Sequence, residues 1–213
     1  LGTVRVLESV RHILPTARVY VAGSSEQFGA TPPPHNEQSR YEPRSPYGHA
    51  KVLAHGMARL YREAYGLHVS VGVLSNHESP RRGPEFVTRK IAIGVARIAA
   101  CEIKTIELGN LDARRDWGHA RDFVRAMWLM VQRDAPGDYV IGTGVDHSVR
   151  EFLVEALRVA GLDHERPLQY VLHHAMHLRP TEVDHLRIDA SRARAELGWE
   201  PTVTFEQLVE EIA

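Results

Sequence analysis

The chain of 213 residues has a single cysteine, Cys101, so no disulfide can staple it internally, and a reducing, cytoplasmic setting is expected. No apolar run approaches the roughly 18 residues that a membrane-spanning helix needs. Neither charge sign is in excess. Lys and Arg (26) nearly balance Asp and Glu (27), so neither the basic field of a nucleic-acid binder nor an acidic disordered tail is expected. A phosphorylated ligand would have to be met by local arginines. No G-x-G-x-x-G fingerprint occurs; the nearest approach, Gly142 and Gly144 after an apolar run, has His147 where the third glycine would stand. That segment reads as an ordinary strand-to-helix turn, with Ser148 as N-cap and Glu151 completing a capping box. An initiator methionine and a strand ahead of the first helical pattern are also missing, so a fragment without its N-terminal part is expected. Hydrophobic residues make up 43% of the chain, enough for the core of one large domain or two small ones.

The most informative stretch is 18–51. The β-branched and aromatic run Val19-Tyr20-Val21 ends in small residues, Ser24 and Glu26 follow, and a proline-rich loop then leads to Tyr47 and Lys51. Spaced i and i+4 at the start of a helical pattern, the last two share one face about 5–6 Å apart. A free tyrosine, with a pKa of about 10, is a poor base at neutral pH, and a neighbouring ammonium favours its phenolate. Tyr47 is therefore the candidate base for removing an alcohol proton as hydride leaves, Lys51 its electrostatic partner and Ser24 a hydrogen-bonding bridge to substrate. A bare Y-x-x-x-K is common in helices; the strand ending in Ser-Ser-Glu makes this one more specific.

Elsewhere the order of patterns suits a parallel α/β sheet. A helix is expected over 4–14, a strand over 18–22, and a loop over 31–46 whose length suggests a lid or substrate-facing segment. A helix over 47–65 follows, with Val52, Met57, Leu60 and Tyr61 for packing and Gly66 as its stop. Residues 67–74 read as a buried strand. Beyond it, SNHESPRRG (75–83) lies where open α/β sheets bind ligands, so Asn76, His77, Arg81 and Arg82 are candidates for phosphate and ribose contacts, or simply a solvated turn. Helices are expected over 86–100, 119–132, 189–201 and 205–213. Arg115 has the planar fork suited to a diphosphate, or forms a surface neighbour pair with Asp116. Met127, Trp128, Leu129 and Met130 read as core. His173, His174 and His177 have helical metal-ligand spacing without supporting ligands, so no metal site is expected. Arg179, Glu182 and Asp184 flank Pro180, where an arginine and a carboxylate could hold a phosphate and a ribose.

The motifs SSEQFG, PRSPYGHAK, SNHESPRRG, FVTRKI, LGNLDARRDWGHARDFVRAMWLM, HSVREF, RPTEVD and LGWEPTVTFEQLVEE carry a resemblance along nearly the whole chain. The sequence resembles the extended short-chain dehydrogenase/reductase enzymes and, among them, the GDP-mannose 4,6-dehydratase family. The resemblance implies a Rossmann-like parallel sheet flanked by helices, its N-terminal part missing, and a smaller C-terminal α/β substrate-binding domain. It assigns 1–76 to the NADP-binding domain and 77–213 mainly to the substrate domain, with about 119–147 returning to the Rossmann sheet. It implies catalytic roles for Ser24, Glu26, Tyr47 and Lys51. NADP contacts fall on Tyr47, Lys51, His77 and Arg82, and contacts to the nucleotide sugar GDP-mannose on Asn76, Lys90, Arg115, Arg179 and Glu182. A homodimer or homotetramer is implied, with neither nucleic acid nor membrane as partner.

Two departures from the family pattern occur: Gly23 stands for a more usual Ser, and Gln27-Phe28 for a more usual Leu-Tyr. The implied reaction is dehydration of GDP-mannose to GDP-4-keto-6-deoxymannose with internal redox through NADP. A reductase of the 4-keto sugar, another nucleotide-sugar dehydratase or epimerase, and a non-catalytic sugar-nucleotide-binding fragment are the alternatives.

Overall fold

Six consecutive residues of one strand, Val69–Leu74, are buried, which requires cover on both faces of the sheet that contains it. The computed structural model, which describes residues 1–173, Val183 and 185–213, supplies that cover with helices. In chain order, α1 (Gly2–Ile13) precedes β1 (Val19–Ala22), a 3-10 turn (Ser25–Gln27), α2 (Pro46–Tyr65) and β2 (Val69–Leu74). Next come β3 (Asn76–Glu78), α3 (Val87–Ala99), β4 (Ile106–Leu108), β5 (Arg114–Arg115), β6 (Trp117–His119), α4 (Ala120–Gln132) and β7 (Asp138–Ile141). The chain continues through β8 (His147–Ser148), α5 (Val149–Val159), β9 (Val171–His173), β10 (His185–Leu186), α6 (Ser191–Leu197) and α7 (Phe205–Ile212).

The principal sheet is parallel, in the order β1-β2-β7, with Val21 opposite Val71 and Val71 opposite Asp138. Both α2 and α4 pack on β1 and β2. Their buried side chains join those of the sheet in one core, which includes Phe28, Tyr61, Phe123, Met130 and Trp199. A second core gathers α3, α5 and α7 around Trp117, Phe152 and Leu153. Its strands are short: β3 pairs with β6, β4 with β9, and β5 lies between β8 and β10. Of these, β3 begins at Asn76, two residues past the end of β2 at Leu74.

Local chemistry explains most boundaries. Ser45 caps α2 by accepting from the Gly48 N–H at 3.0 Å, Pro46 occupies the first turn, and Gly66 stops the helix in the left-handed conformation, φ 65°. Leu14 leaves α1 ahead of Pro15, one residue earlier than the pattern suggested, as the restriction before proline requires. The 31–46 segment is not a free lid. The His35 N–H donates to the Arg187 carbonyl at 2.9 Å, and Glu37 Oε1 accepts from the Val140 N–H at 2.8 Å, so the loop straps the edge of β7. Leu60 and Trp128, expected in the core, are 48% and 59% exposed; Met130 alone of its quartet is fully buried. A helix places only one stripe inward, and runs such as Met127–Met130 cannot all lie on it.

Candidate active site

β1 ends at Ala22, and the Gly23 N–H still donates to the Gly72 carbonyl at 2.8 Å. The chain then turns sharply. Ser24 Oγ accepts from the Glu26 N–H at 3.3 Å, and the Ser24 N–H donates to Gln27 Oε1 at 2.9 Å, a reciprocal cap that fixes the 3-10 turn and holds Glu26 at its surface. The start of α2 lies directly against this turn. A Cβ at Gly48 would stand 2.7 Å from the Glu26 carbonyl oxygen, so only glycine allows the contact. One turn along, Lys51 Nζ donates to the Ala22 carbonyl at 2.9 Å and lies 5.5 Å from the centre of the Tyr47 ring. Tyr47 itself is 54% exposed.

Ser24, Glu26, Tyr47, Asn76, His77 and Arg82 line one cleft of about 800 Å³. A second, of about 330 Å³, shares Glu26, Asn76 and Arg82 with it and adds Lys90 and Arg115. Ser24, Glu26, Tyr47, Asn76, His77, Arg82, Lys90 and Arg115 thus line two adjoining hollows that share Glu26, while Lys51 lines neither and stands behind Tyr47 on the Ala22 carbonyl. Arg115 also donates to the Arg114 carbonyl at 2.9 Å. Its neighbour Asp116 is fully buried, so the two are not a surface pair. His77 Nδ1 stands 3.0 Å from the Ser75 carbonyl, which can only accept, so this nitrogen carries a proton. Arg179 and Glu182 lie outside the described residues, as do His174, His177 and Asp184. Among the described residues no cluster suited to a metal ion occurs.

Two groups that sequence reasoning missed hold Arg82. Its Nε lies 3.2 Å from Oε2 of the buried Glu78, which also accepts from the Thr88 hydroxyl at 2.7 Å, and its guanidinium stacks 3.6 Å from the centre of the Phe86 ring. The spacing of Glu78 and Arg82, i and i+4, was the only signal. The Gly142–Gly144 turn is closely packed: a Cβ at Gly142 would meet Ile188 at 2.5 Å and Asp116 Oδ2 at 2.7 Å. As expected, it is a tight turn followed by the Ser148–Glu151 capping box.

A parallel sheet flanked by helices, with a serine-glutamate turn at one strand end and a Tyr–Lys pair on the next helix, defines a short-chain dehydrogenase/reductase fold. Solved structures agree. The chain superposes on RMD from Pseudomonas aeruginosa complexed with NADPH with a TM-score of 0.89 at 22% identity, covering 99% of this chain and 70% of that one. The dTDP-glucose 4,6-dehydratase from Bacillus anthracis in complex with NAD gives 0.85 at 26%, covering 99% and 65%. The family described as GDP-mannose 4,6 dehydratase matches residues 1–212, and the chain belongs to that family. It is 49% identical to GDP-mannose 4,6 dehydratase 1 of Arabidopsis thaliana, over 98% of this chain and 58% of the relative. To the human GDP-mannose 4,6 dehydratase it is 43% identical, over 100% and 62%. The chain thus spans about three fifths of the length of the curated relatives it matches.

Proposed function

We propose that the chain carries the catalytic groups of an enzyme that converts GDP-D-mannose to GDP-4-keto-6-deoxy-D-mannose with NADP. The observation that carries this reading is the opening of Ser24, Glu26 and Tyr47 onto one cleft, with Lys51 beside the phenol. The names of the relatives supply the substrate. The residues present suit the nicotinamide end of a dinucleotide: an exposed phenol and a histidine line the same hollow, and an ammonium stands beside the phenol. Tyr47, Lys51, His77 and Arg82 would hold it there. The chemistry NADP supplies when bound is hydride acceptance at C4 and hydride return at C6.

The protein's own groups move the protons. Tyr47, with the Lys51 ammonium beside its ring, takes the proton of the 4-hydroxyl, while the Ser24 hydroxyl orients that oxygen. The resulting ketone acidifies the hydrogen on C5. Glu26 removes it and protonates the departing 6-hydroxyl, a two-way role available to a carboxyl group at the junction of both hollows. C5 takes a proton back and Tyr47 releases the one it accepted from the 4-hydroxyl, so the protons balance and both side chains end as they began. Asn76, Lys90, Arg115, Arg179 and Glu182 are assigned to the nucleotide sugar. The residues of 1–76 and about 119–147 are assigned to the dinucleotide half and most of 77–213 to the sugar half; the second core, built from α3, α5 and α7, supports the division, while Ile188, Ala190, Ala193 and Trp199 pack in the first.

The test is an assay of the full-length protein with GDP-mannose and catalytic NADP, read as 4-keto product formed without net NADPH use. Tyr47→Phe should lower kcat about 10²- to 10⁴-fold. Glu26→Gln should oxidise C4 yet fail to lose water, so that NADPH accumulates to about one equivalent. Steady NADPH consumption by the unaltered enzyme, or full dehydratase activity in Glu26→Gln, would overturn the reading.

A further inference from the structure

We propose that Gln27 and His55 are positioning residues that lock the Ser24–Glu26 turn onto the helix bearing Tyr47 and Lys51. The inference rests on the dehydratase reading for what is being positioned, and on geometry for the rest. Tyr47, Lys51 and His55 follow one another at i, i+4 and i+8, so a single helix face carries all three. His55 is 2% exposed and Gln27 fully buried, with Gln27 Nε2 3.1 Å from His55 Nδ1.

The directions of these contacts are fixed by chemistry. The Ser24 N–H can only donate, so Gln27 turns its oxygen toward it and its NH₂ toward His55. An amide NH₂ can only donate, so His55 Nδ1 must be the bare, accepting nitrogen. The Tyr41 hydroxyl, 3.1 Å from the same nitrogen, has to donate as well. The ring proton therefore sits on Nε2, which faces Asp138 Oδ2 at 3.1 Å. Asp138 is in turn gripped by Arg62 at 2.6 Å and Arg59 at 2.5 Å. A buried line of polar groups thus runs from the first residue of β7, through α2, to the backbone of Ser24.

Space for the line is tight. A Cβ at Gly23 would stand 2.9 Å from Gln27 Oε1. Gly23 and Gln27, which with Phe28 make up the departures from the family pattern, therefore lie against each other, and His55 completes the set. Gln27 and His55 reach no cleft themselves; they act by holding Ser24 and Glu26 still relative to Tyr47.

The test uses the full-length enzyme with Gln27→Leu, His55→Phe, the double variant, and His55→Asn, whose amide oxygen stands near the place of Nδ1. Each of the first two should cut kcat roughly ten- to a hundredfold, the cost of a small misplacement, with KM within about twofold. The double variant should be little worse than either, since both break one linkage. His55→Asn should recover much of the loss. Nitrogen-15 NMR should show His55 protonated on Nε2, and Gln27→Leu should speed hydrogen exchange at the Ser24 amide. If Gln27→Leu fails to fold, Gln27→Glu keeps the size and the acceptor for Ser24; it should put a proton on His55 Nδ1. Wild-type-like kcat in both single variants with unchanged Ser24 exchange, or a bare Nε2 in the unaltered protein, would overturn the proposal. If the unaltered enzyme leaves GDP-mannose untouched, the dehydratase reading falls, and the exchange and tautomer measurements still decide whether Gln27 and His55 lock the turn.

Discussion

Two aspartates are buried at opposite ends of β7, and they reach burial by different means. Asp138, at its first residue and 7% exposed, meets His55, Arg59 and Arg62. Asp116, fully buried beyond the strand's other end, accepts from neutral donors: the Thr143 N–H and hydroxyl at 2.8 Å each, the Gly144 N–H at 3.0 Å, the Ile188 N–H at 3.2 Å and the Ser75 hydroxyl at 3.3 Å. Burial pushes both carboxyl groups toward the protonated form. At Asp138 the contacts with His55, Arg62 and Arg59 outweigh it and hold the group well below the usual carboxylate range. At Asp116 the donors from Thr143, Gly144 and Ile188 oppose burial without cancelling it, and the group stays above that range. Full hydrogen bonding, then, does not replace an opposite charge.

Asp138→Ala breaks the comparison at its stronger end. It leaves a buried imidazole and two guanidinium groups without their anion, and should cost about 3–5 kcal/mol of unfolding free energy at neutral pH, read from urea midpoints. The pH dependence has a definite sign. A depressed carboxyl pKa contributes stability above the unfolded value of about 3.9, and the contribution is lost as pH falls through the folded value. The gap between variant and parent should therefore close only in strong acid. A gap that closes already near pH 6 would mean that another group carries it.

Asp116→Asn tests the neutral end and should cost less, about 1–3 kcal/mol. The substitution preserves shape, but one carboxylate oxygen becomes an NH₂ facing N–H or O–H donors on either side. Loss should appear as a lower urea midpoint at neutral pH. A variant as stable as the parent would show that the donors can turn away, and that Asp116 is not what joins the loops after β2 and β7.

The same contrast separates what the sequence disclosed from what it hid. Tyr47, Lys51, Ser24 and Glu26 were legible because each pair is local, set by helical spacing or by a strand end, and Gly66 and the Ser148–Glu151 cap announce themselves in four residues. Asp116 was hidden by its neighbour: Arg115 lines the smaller cleft while Asp116 turns inward, the alternation of an extended segment. His55 and Asp138 were hidden by distance along the chain, since nothing near position 55 signals a partner at the start of β7. Of the two roles the 31–46 loop's length suggested, lid or substrate-facing segment, its end meets the second, with Arg44, Ser45 and Pro46 lining the larger cleft, while its anchors His35 and Glu37 bond to residues far away in sequence and could not be seen locally.

Arg59→Met asks how much of the charged end is needed, and its effect should be the smallest. Arg59 Nε lies 2.5 Å from Asp138 Oδ2, the shortest of the three contacts, yet its side chain is 45% exposed against 18% for Arg62. Water screens an exposed guanidinium, and methionine keeps the stem packed along α2. Oδ2 also retains His55, and Oδ1 retains Arg62, so no buried charge is orphaned. The expected loss is under about 1 kcal/mol, fading further in high salt. A loss as large as that of Asp138→Ala would mean that Arg59, Arg62 and the His55 imidazole act as one unit, and that distance rather than burial decides which of them matters.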